Sequence, residues 1–551
     1  MRATRPLPRD RRLPPRRDLW WRGAVLYQIW PRSFADGDGD GIGDLAGLTE
    51  RLGHIARLGA DAVWISPFYA SPMKDWGYDI TDHCAVDPSF GSLADFDRLL
   101  ARAHALGLRV LVDFVPSHTS DRHPWFLESR EDRTNPRADW YVWADPRPDG
   151  TPPNNWLSVF GGPAWQWEPR RRQYYLHNFL KEQPDLNLHR PEVREALLAV
   201  ARFWLERGVD GFRLDAIEFA FHDPRLRSNP PRRAPPVPGG AAPGSPWAMQ
   251  EHRFDKGRAE LNALFLQPLW RLTEAYGGRV LLGEVTGDRA RARIARHTNG
   301  GGLDMAYGFD LLSGTITASR IREAVDAMGA RIGRGWMCWA FSNHDVRRAP
   351  SRLRHPDPPD AARLLLPVLL CCLPGSPCLY QGDELGLEEA ELSFEDLRDP
   401  FGIAFWPRFA GRDGCRTPMP WRADAAQGGF STARPWIPFY APHRRRAVDR
   451  QYADPNSVYE RLRIFLAFRR GEPALRLGDI RFLEVPEPLL AFERSRRGRR
   501  LLCVFDLGGE GGRVRMGGAA EPRFFSGAAV HGTGIDLAPW GFAVVLLDGE
   551  G

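Results

Sequence analysis

The chain is dominated by a repeated alternation of short apolar runs with amphipathic stretches, and this limits its fold more than any other feature. The runs are "AVLYQIW" (24–30), "ADAVWISPF" (60–68), "LRVLVDFVPSHTS" (108–120), "GVDGFRLDAI" (208–217), "RVLLGEVTG" (279–287), "AYGFDLL" (306–312), "MCWAFSNHD" (337–345) and "GSPCLYQGDE" (375–384). Helical stretches such as "LTERLGHIARLG", "SLADFDRLLARAHALG" and "RPEVREALLAVARFWLERG" stand between most of them. Near-continuous apolar strands with intervening helices form parallel sheets covered on both faces. Eight such units predict an α/β fold, a (β/α)8 TIM barrel.

Three departures from the alternation set the expected domain organisation. Residues 121–185, rich in Trp, Pro and Asn, are long enough for a small inserted domain after the third strand. Residues 383–455 form a long insertion after the eighth strand, and 221–252 a Pro/Gly-rich loop after the fourth. From 471 to 551 the pattern turns to short strands, which predicts a C-terminal all-β domain. The barrel is expected over 20–120 and 186–470.

Charge excludes one class of partner. The formal net charge is +6, and residues 1–22 hold eight Arg against two Asp, which accounts for all of it. The remaining body is formally neutral, so no basic nucleic-acid-binding face is expected. Residues 1–19 read as a disordered Arg/Pro-rich tail. That tail has no apolar h-region, and no run of about 18 apolar residues follows, so neither a secretory signal nor a membrane span is predicted. Seven scattered Cys, with no CxxC pair and no companion His, suggest reduced thiols in a cytoplasmic protein rather than a zinc site or a disulfide framework.

The polar residues of the apolar runs gather at their C-terminal ends: Ser117 and His118, Asp215 and Glu218, Glu284, His344 and Asp345. In a barrel these ends share one face, where active sites are built. Asp215 and Glu284 suit glycoside hydrolysis, in which one carboxylate attacks the anomeric carbon and the other protonates the leaving oxygen. Asp345 is a third carboxylate suited to stabilising developing positive charge. Arg213 lies two residues before Asp215, on the same face of its strand, and is expected to keep Asp215 ionised. Glu284 needs the opposite, a raised pKa. Taken singly, any of these is equally readable as a structural ion pair.

The stretch "FADGDGDGIGDLAG" (34–47) places Asp36, Asp38 and Asp40 two residues apart, with Asp44 beyond Ile42. As an EF-hand, Asp36 would be position 1 and Gly47 would fall where position 12 needs a bidentate Glu, so a calcium sensor is excluded. A metal-binding loop and a plain acidic turn both remain open on the residues alone.

"DFVPSH", "GFRLDAIEF", "LLGEV" and "FSNHD", in this order, closely resemble the four signature regions of the alpha-amylase family of glycoside hydrolases (glycoside hydrolase family 13). "RGAVLYQIWPRSFADGDGDGIGDLAGL", "DWGYDITDH" and "EDLRDPFGIAFWPRFAGRDGCRTPMPW" are similar to the bacterial alpha-glucosidase and oligo-1,6-glucosidase group. The resemblance runs from about Trp20 to the end. It implies a retaining double displacement with Asp215 as nucleophile, Glu284 as general acid/base and Asp345 as transition-state stabiliser. It implies sugar contacts from His118, Arg213 and His344, a grip on the terminal glucose from Tyr78 and Asp79, and an arginine, Arg416, that pairs with that carboxylate and closes the pocket. Phe160 and Phe179 are expected cleft aromatics. The resemblance also implies a structural Ca²⁺, or Mg²⁺, held by Asp36, Asp38, Asp40, the Ile42 carbonyl and Asp44.

A closed pocket implies exo action, a small α-glucoside as substrate and, for the chain, a monomer or homodimer. Ala216, where Val accompanies α-1,6 cleavage in this group, implies a preference for maltose and short α-1,4 glucosides, with some transfer. Oligo-1,6-glucosidase, sucrose hydrolase and trehalose synthase-like isomerase are the alternatives. A non-catalytic transporter-associated relative is disfavoured, because all three carboxylates are present and no span is. Two positions depart from the family pattern. Ser117 replaces a usual Asn, and "GEVTG" alters the segment after Glu284.

Overall fold

The computed structural model describes residues 19–233, 245–516, 518 and 520–547. Residues 1–18 of the expected tail at 1–19, and the centre of the Pro/Gly-rich loop, 234–244, lie outside them.

Eight parallel strands form the central sheet: β1 (Leu26–Ile29), β2 (Ala62–Ile65), β3 (Arg109–Phe114), β4 (Gly211–Leu214), β5 (Val280–Glu284), β6 (Met305–Tyr307), β7 (Cys338–Trp339) and β8 (Ser376–Tyr380). The order runs from β6 through β5, β4, β3, β2, β1 and β8 to β7. A parallel bridge between Ala306 and Met337 joins the two ends, so the sheet closes into a barrel. The expected (β/α)8 architecture is therefore present.

Side-chain alternation explains why the runs are apolar throughout. Leu26, Ala62, Trp64, Leu111, Val280, Leu282, Met305, Cys338 and Cys378 fill the barrel interior as one cluster. Their neighbours Val63, Ile65, Val110, Val112 and Leu281 face outward and pack in the larger cluster that holds the surrounding helices. Both faces of each strand are thus covered, and a polar residue is tolerated only where the strand ends.

Local signals set the helix ends. Asp44 caps Leu45–Leu58 by accepting from the Gly47 N–H, and Gly59 ends that helix at φ 100. Ser92 and Asp95 form a reciprocal capping box at the start of Leu93–Ala105. Gly208, at φ 97, stops Pro191–Arg207 directly before β4.

Within 121–185 a three-stranded antiparallel sheet forms from Trp143–Ala144, Gln173–Leu176 and Trp165–Glu168. The insertion after β8 is mostly irregular, with a short helix at Pro400–Phe405. A six-stranded antiparallel sheet spans Asp479–Phe482 to Gly534–Leu547. The sixth and seventh strands are shorter than the apolar runs that predicted them. The rest of each run turns into the loops at the barrel mouth, and the loop after β7 carries His344 and Asp345. Among the described residues no helix is long and apolar enough to cross a membrane.

Candidate active site

A cavity of about 1070 Å³ opens at the C-terminal mouth of the barrel. Asp215, Glu284 and Asp345 all line it, each at or after the end of its strand. Tyr78, His118, Phe160, Phe179 and His344 line it as well. The structure thus gathers most of the expected site residues around one space.

Arg213 lies beneath this surface, fully buried, and joins the carboxylates. Its Nη1 donates to Asp215 at 2.6 Å and to Asp113 at 2.9 Å, while Nη2 pairs with Glu284. The Tyr307 hydroxyl accepts from Nη2 at 2.6 Å. Asp113 also accepts from the Trp64 indole at 3.1 Å and the Tyr78 hydroxyl at 3.2 Å. A charge buried this deeply persists only with partners of this kind.

Burial sets the carboxyl chemistry. It pushes Asp215 up to about 7 against the pull of Arg213, with Asp113 and Asp345 adding to the rise. Arg213 acts in the expected direction, favouring the ionised form of Asp215, but burial outweighs it. Burial likewise raises Glu284 to about 7, again opposed by Arg213. Asp345 goes the other way. Burial raises it, but His344, Arg412 and Arg416 outweigh burial and hold it well below the usual carboxylate range. Arg416 reaches it at 3.1 Å and Arg412 at 3.2 Å. Burial pushes His344 and His118 down, His118 to about 3.

Three expected contacts are corrected. Arg213 does not line the cavity: it is fully buried, and its guanidinium meets the carboxylates rather than the sugar space. Asp79 does not face the cavity: its carboxylate accepts from the Ser71 hydroxyl at 2.9 Å and from the N–H groups of Lys74 and Asp75 at 2.8 and 3.0 Å. It shapes the loop that presents its neighbours. The carboxylate of this loop that lines the cavity is Asp75, and Arg412 Nη2 donates to it at 2.8 Å. Arg416 does not meet Asp79. Its guanidinium bonds the His344 carbonyl at 2.8 Å and Asp345 at 3.1 Å, below the cavity surface. Arg412 is the residue that bridges loops, reaching Asp75, Asp345 and, at 2.7 Å, Asp399, with its guanidinium 5.2 Å from the Phe160 ring centre.

Other residues of this site escaped the sequence reading. Asp75 and Arg412 sit in the very motifs that pointed to Asp79 and Arg416, each with a second residue of its type four positions away. Asp113, inside the first signature run, carried a signal as a lone acid in an apolar strand. Lys256, in the loop after β4, carried none.

The departure at Ser117 has a structural reading. Its hydroxyl lies 3.0 Å from His118 Nδ1, and its carbonyl accepts from the Leu186 N–H at 2.9 Å. The inserted segment is therefore anchored through backbone here.

In the acidic loop, the carboxylate oxygens of Asp36, Asp38 and Asp40 lie within 4.8 Å of one another. Asp36 also accepts from the N–H groups of Gly39 and Gly41 at 2.6 and 2.8 Å, which folds the loop tightly. Among the described residues no salt bridge reaches these three acids, and Arg32 is the cation whose charge acts on Asp40. Three converging hard oxygens fit Ca²⁺. Asp44 stands outside the group, because the N–H groups of Gly47 and Gly37 occupy its two oxygens at 2.7 and 2.9 Å. Ile42 enters through its N–H, which donates to Asp40 at 2.7 Å.

A closed parallel barrel whose C-terminal mouth presents paired carboxylates on a shared guanidinium is the arrangement of a glycoside hydrolase. Residues 28–478 match the family model for the alpha amylase catalytic domain, and the chain belongs to the alpha-amylase family. It is 55% identical to a probable alpha-glucosidase of Rhizobium meliloti (strain 1021) over 90% of this chain and 91% of that one. It is 34% identical to an oligo-1,6-glucosidase of Parageobacillus thermoglucosidasius over 88% of this chain and 90% of that one. Among solved structures, the alpha-glucosyl transfer enzyme XgtA superposes with a TM-score of 0.94 at 53% identity, covering 96% of this chain and 99% of that one.

Proposed function

We propose that the protein is a retaining, exo-acting α-glucosidase that removes terminal α-1,4-linked glucose from maltose and short α-glucosides, with transfer to other acceptors as a side reaction. The observation that carries this reading is that Asp215, Glu284 and Asp345 face one cavity while Asp215 and Glu284 share Arg213. One guanidinium spanning both keeps the two carboxylates close, as a double displacement requires.

In the first step Asp215 attacks the anomeric carbon, and the glycosidic bond breaks as Glu284 gives its proton to the leaving oxygen. In the second, Glu284 takes a proton from water, and the oxygen so activated displaces Asp215 and releases glucose. Asp345, held ionised by Arg412 and Arg416, stabilises the positive charge that develops on the ring. Tyr78, His118, His344 and Asp75 bind the terminal glucose, Arg213 anchors the two reacting carboxylates from below, and Phe160 and Phe179 flank the cleft. Arg412 ties the walls together around it. The linkage preference rests on Ala216 alone.

The acidic loop supports a structural Ca²⁺ on Asp36, Asp38 and Asp40. All seven cysteines are free, six of them buried, which supports a reducing, cytoplasmic setting. A monomer or homodimer remains our reading of the assembly.

The test is parallel glucose release from maltose, isomaltose, sucrose and soluble starch, with product chromatography. Maltose leading with starch nearly inert supports the proposal. Isomaltose turned over tenfold faster than maltose removes the linkage assignment, and rapid release of oligosaccharides from starch removes the closed pocket.

A further inference from the structure

Lys256 is 1% exposed, lines the same cavity and takes no part in the mechanism above. Its ammonium has no hydrogen-bond partner among the described residues. It lies 4.3 Å from the ring centre of Phe219 and 4.3 Å from that of Trp247. An ammonium buried without hydrogen bonds is costly, and aromatic faces are what offsets that cost here. Asp255, Asp288 and Glu218 surround it with negative charge, and Arg293 with positive.

Trp247 is itself held in place. His252 stacks on Trp247 with centres 3.7 Å apart, and His252 Nδ1 pairs with Asp255 at 2.6 Å. Trp247 is thereby held by an imidazole and an ammonium. Phe219 and Trp247 join Val159 and Ala216 in one apolar cluster that faces the cavity. Ala216 donates its N–H to Glu284 at 3.2 Å. A Cβ built on Gly287 would stand 3.2 Å from Lys256 Nζ, so the ammonium rests against the turn that follows Glu284. This wall flanks the group that protonates the leaving oxygen. The terminal-glucose contacts, Asp75, Tyr78, His344 and Asp345, belong to other loops.

We propose that Lys256 is a positioning residue for the leaving sugar: its caged ammonium holds Phe219 and Trp247 as the apolar wall on which the pyranose face of the leaving group, or of an incoming acceptor, stacks. The proposal rests on the α-glucosidase reading and deepens it.

The experiment compares wild type, Lys256→Met and Lys256→Arg on maltose and on α-D-glucosyl fluoride. The fluoride presents a one-atom leaving group that cannot reach the wall. For Lys256→Met the ratio of kcat/KM on maltose to kcat/KM on the fluoride is expected to fall about 30-fold, the size of a desolvated cation–π contact. Lys256→Arg is expected to restore most of that ratio. An unchanged ratio, or an equal fall on both substrates, overturns the proposal, because a merely structural lysine would move both alike. Should Lys256→Met not fold, Trp247→Leu is read in the same way, with the same expected fall and the same refuting result. A wild-type protein inert on both substrates would overturn the glucosidase reading and this proposal with it. A ratio unchanged in active variants overturns this proposal alone.

Discussion

Replacing Asp75 by Asn removes one charge from the cavity wall while nearly keeping the side chain's shape. Arg412 Nη2 donates to Asp75 at 2.8 Å, and the two side chains are 9% and 5% exposed. Gln183 Nε2 donates to the other oxygen at 3.1 Å. Asn accepts from only one of these donors and turns its own N–H groups toward the other. The loss is one charge-assisted hydrogen bond, about 1.5–3 kcal/mol, or roughly 10- to 150-fold in kcat/KM on maltose. Asp79→Asn makes the same chemical change four residues on, where the carboxylate meets only the Ser71 hydroxyl and two backbone N–H groups. Its effect is expected as a lower melting temperature, with kcat/KM falling at most about tenfold through a loosened loop. Steady-state kinetics and thermal melts on both variants check this. A larger kinetic loss in Asp79→Asn than in Asp75→Asn would refute the reassignment of the glucose-gripping carboxylate.

Further outcomes follow from the same geometry. Glu284→Gln is expected to lower maltose turnover ~10²–10⁴-fold, and glucosyl fluoride turnover much less, since fluoride leaves without a proton; equal losses would remove the general-acid role. Asp215→Asn is expected to abolish glucose release from both substrates, and surviving release would remove the nucleophile. Asp215 and Glu284 both lie at about 7 when folded, above the ordinary carboxyl range, so the folded chain binds their protons more tightly than the unfolded one. That contribution is full below the unfolded pKa and is lost as pH rises through about 7. Glu284→Gln is therefore expected to flatten the fall in melting temperature between pH 5 and pH 8, and an unchanged slope counts against it. Chelation with EDTA is expected to lower the melting temperature and Ca²⁺ to restore it, by about 2.7 kcal/mol at 100 times Kd. Asp38→Ala is expected to remove that response; a Ca²⁺ response that persists would place the ion elsewhere.

The barrel was legible because strand burial on both faces leaves a plain mark, the near-continuous apolar run. The three cavity carboxylates were legible because a charge at the end of such a run has few bland explanations. Asp75 was not, for a reason of backbone geometry. Met73, Trp76 and Gly77 take φ of 59, 53 and 111, so the loop between β2 and Asp79 breaks the side-chain alternation by which residue spacing reports direction. Spacing could name the motif but not the carboxylate that turns inward. Arg412 follows Gly411, at φ 79, in an irregular segment with the same ambiguity. The raised pKa of Asp215 depends on how many charges share Arg213 and how little water reaches them, and both are properties of packing.

That sharing accounts for how one site holds carboxyls of different character. Asp113, Asp215 and Glu284 all meet Arg213, so the group carries three potential negative charges against one fixed positive charge. In a buried site such an excess is relieved by taking up protons, and all three are indeed raised, Asp113 to about 6 and the others to about 7. Raising all three favours uptake of a proton by the group, which the proposed double displacement needs on Glu284 and not on Asp215. Asp345 is excluded from this exchange because Arg412 and Arg416 keep it ionised. The substrate completes the sorting. A glycosidic oxygen beside Glu284 accepts a hydrogen bond only from the protonated acid, while positive charge growing at the anomeric carbon favours an ionised Asp215. In the proposed mechanism the resting site supplies a shared proton, and the bound sugar fixes which carboxylate keeps it until the bond breaks.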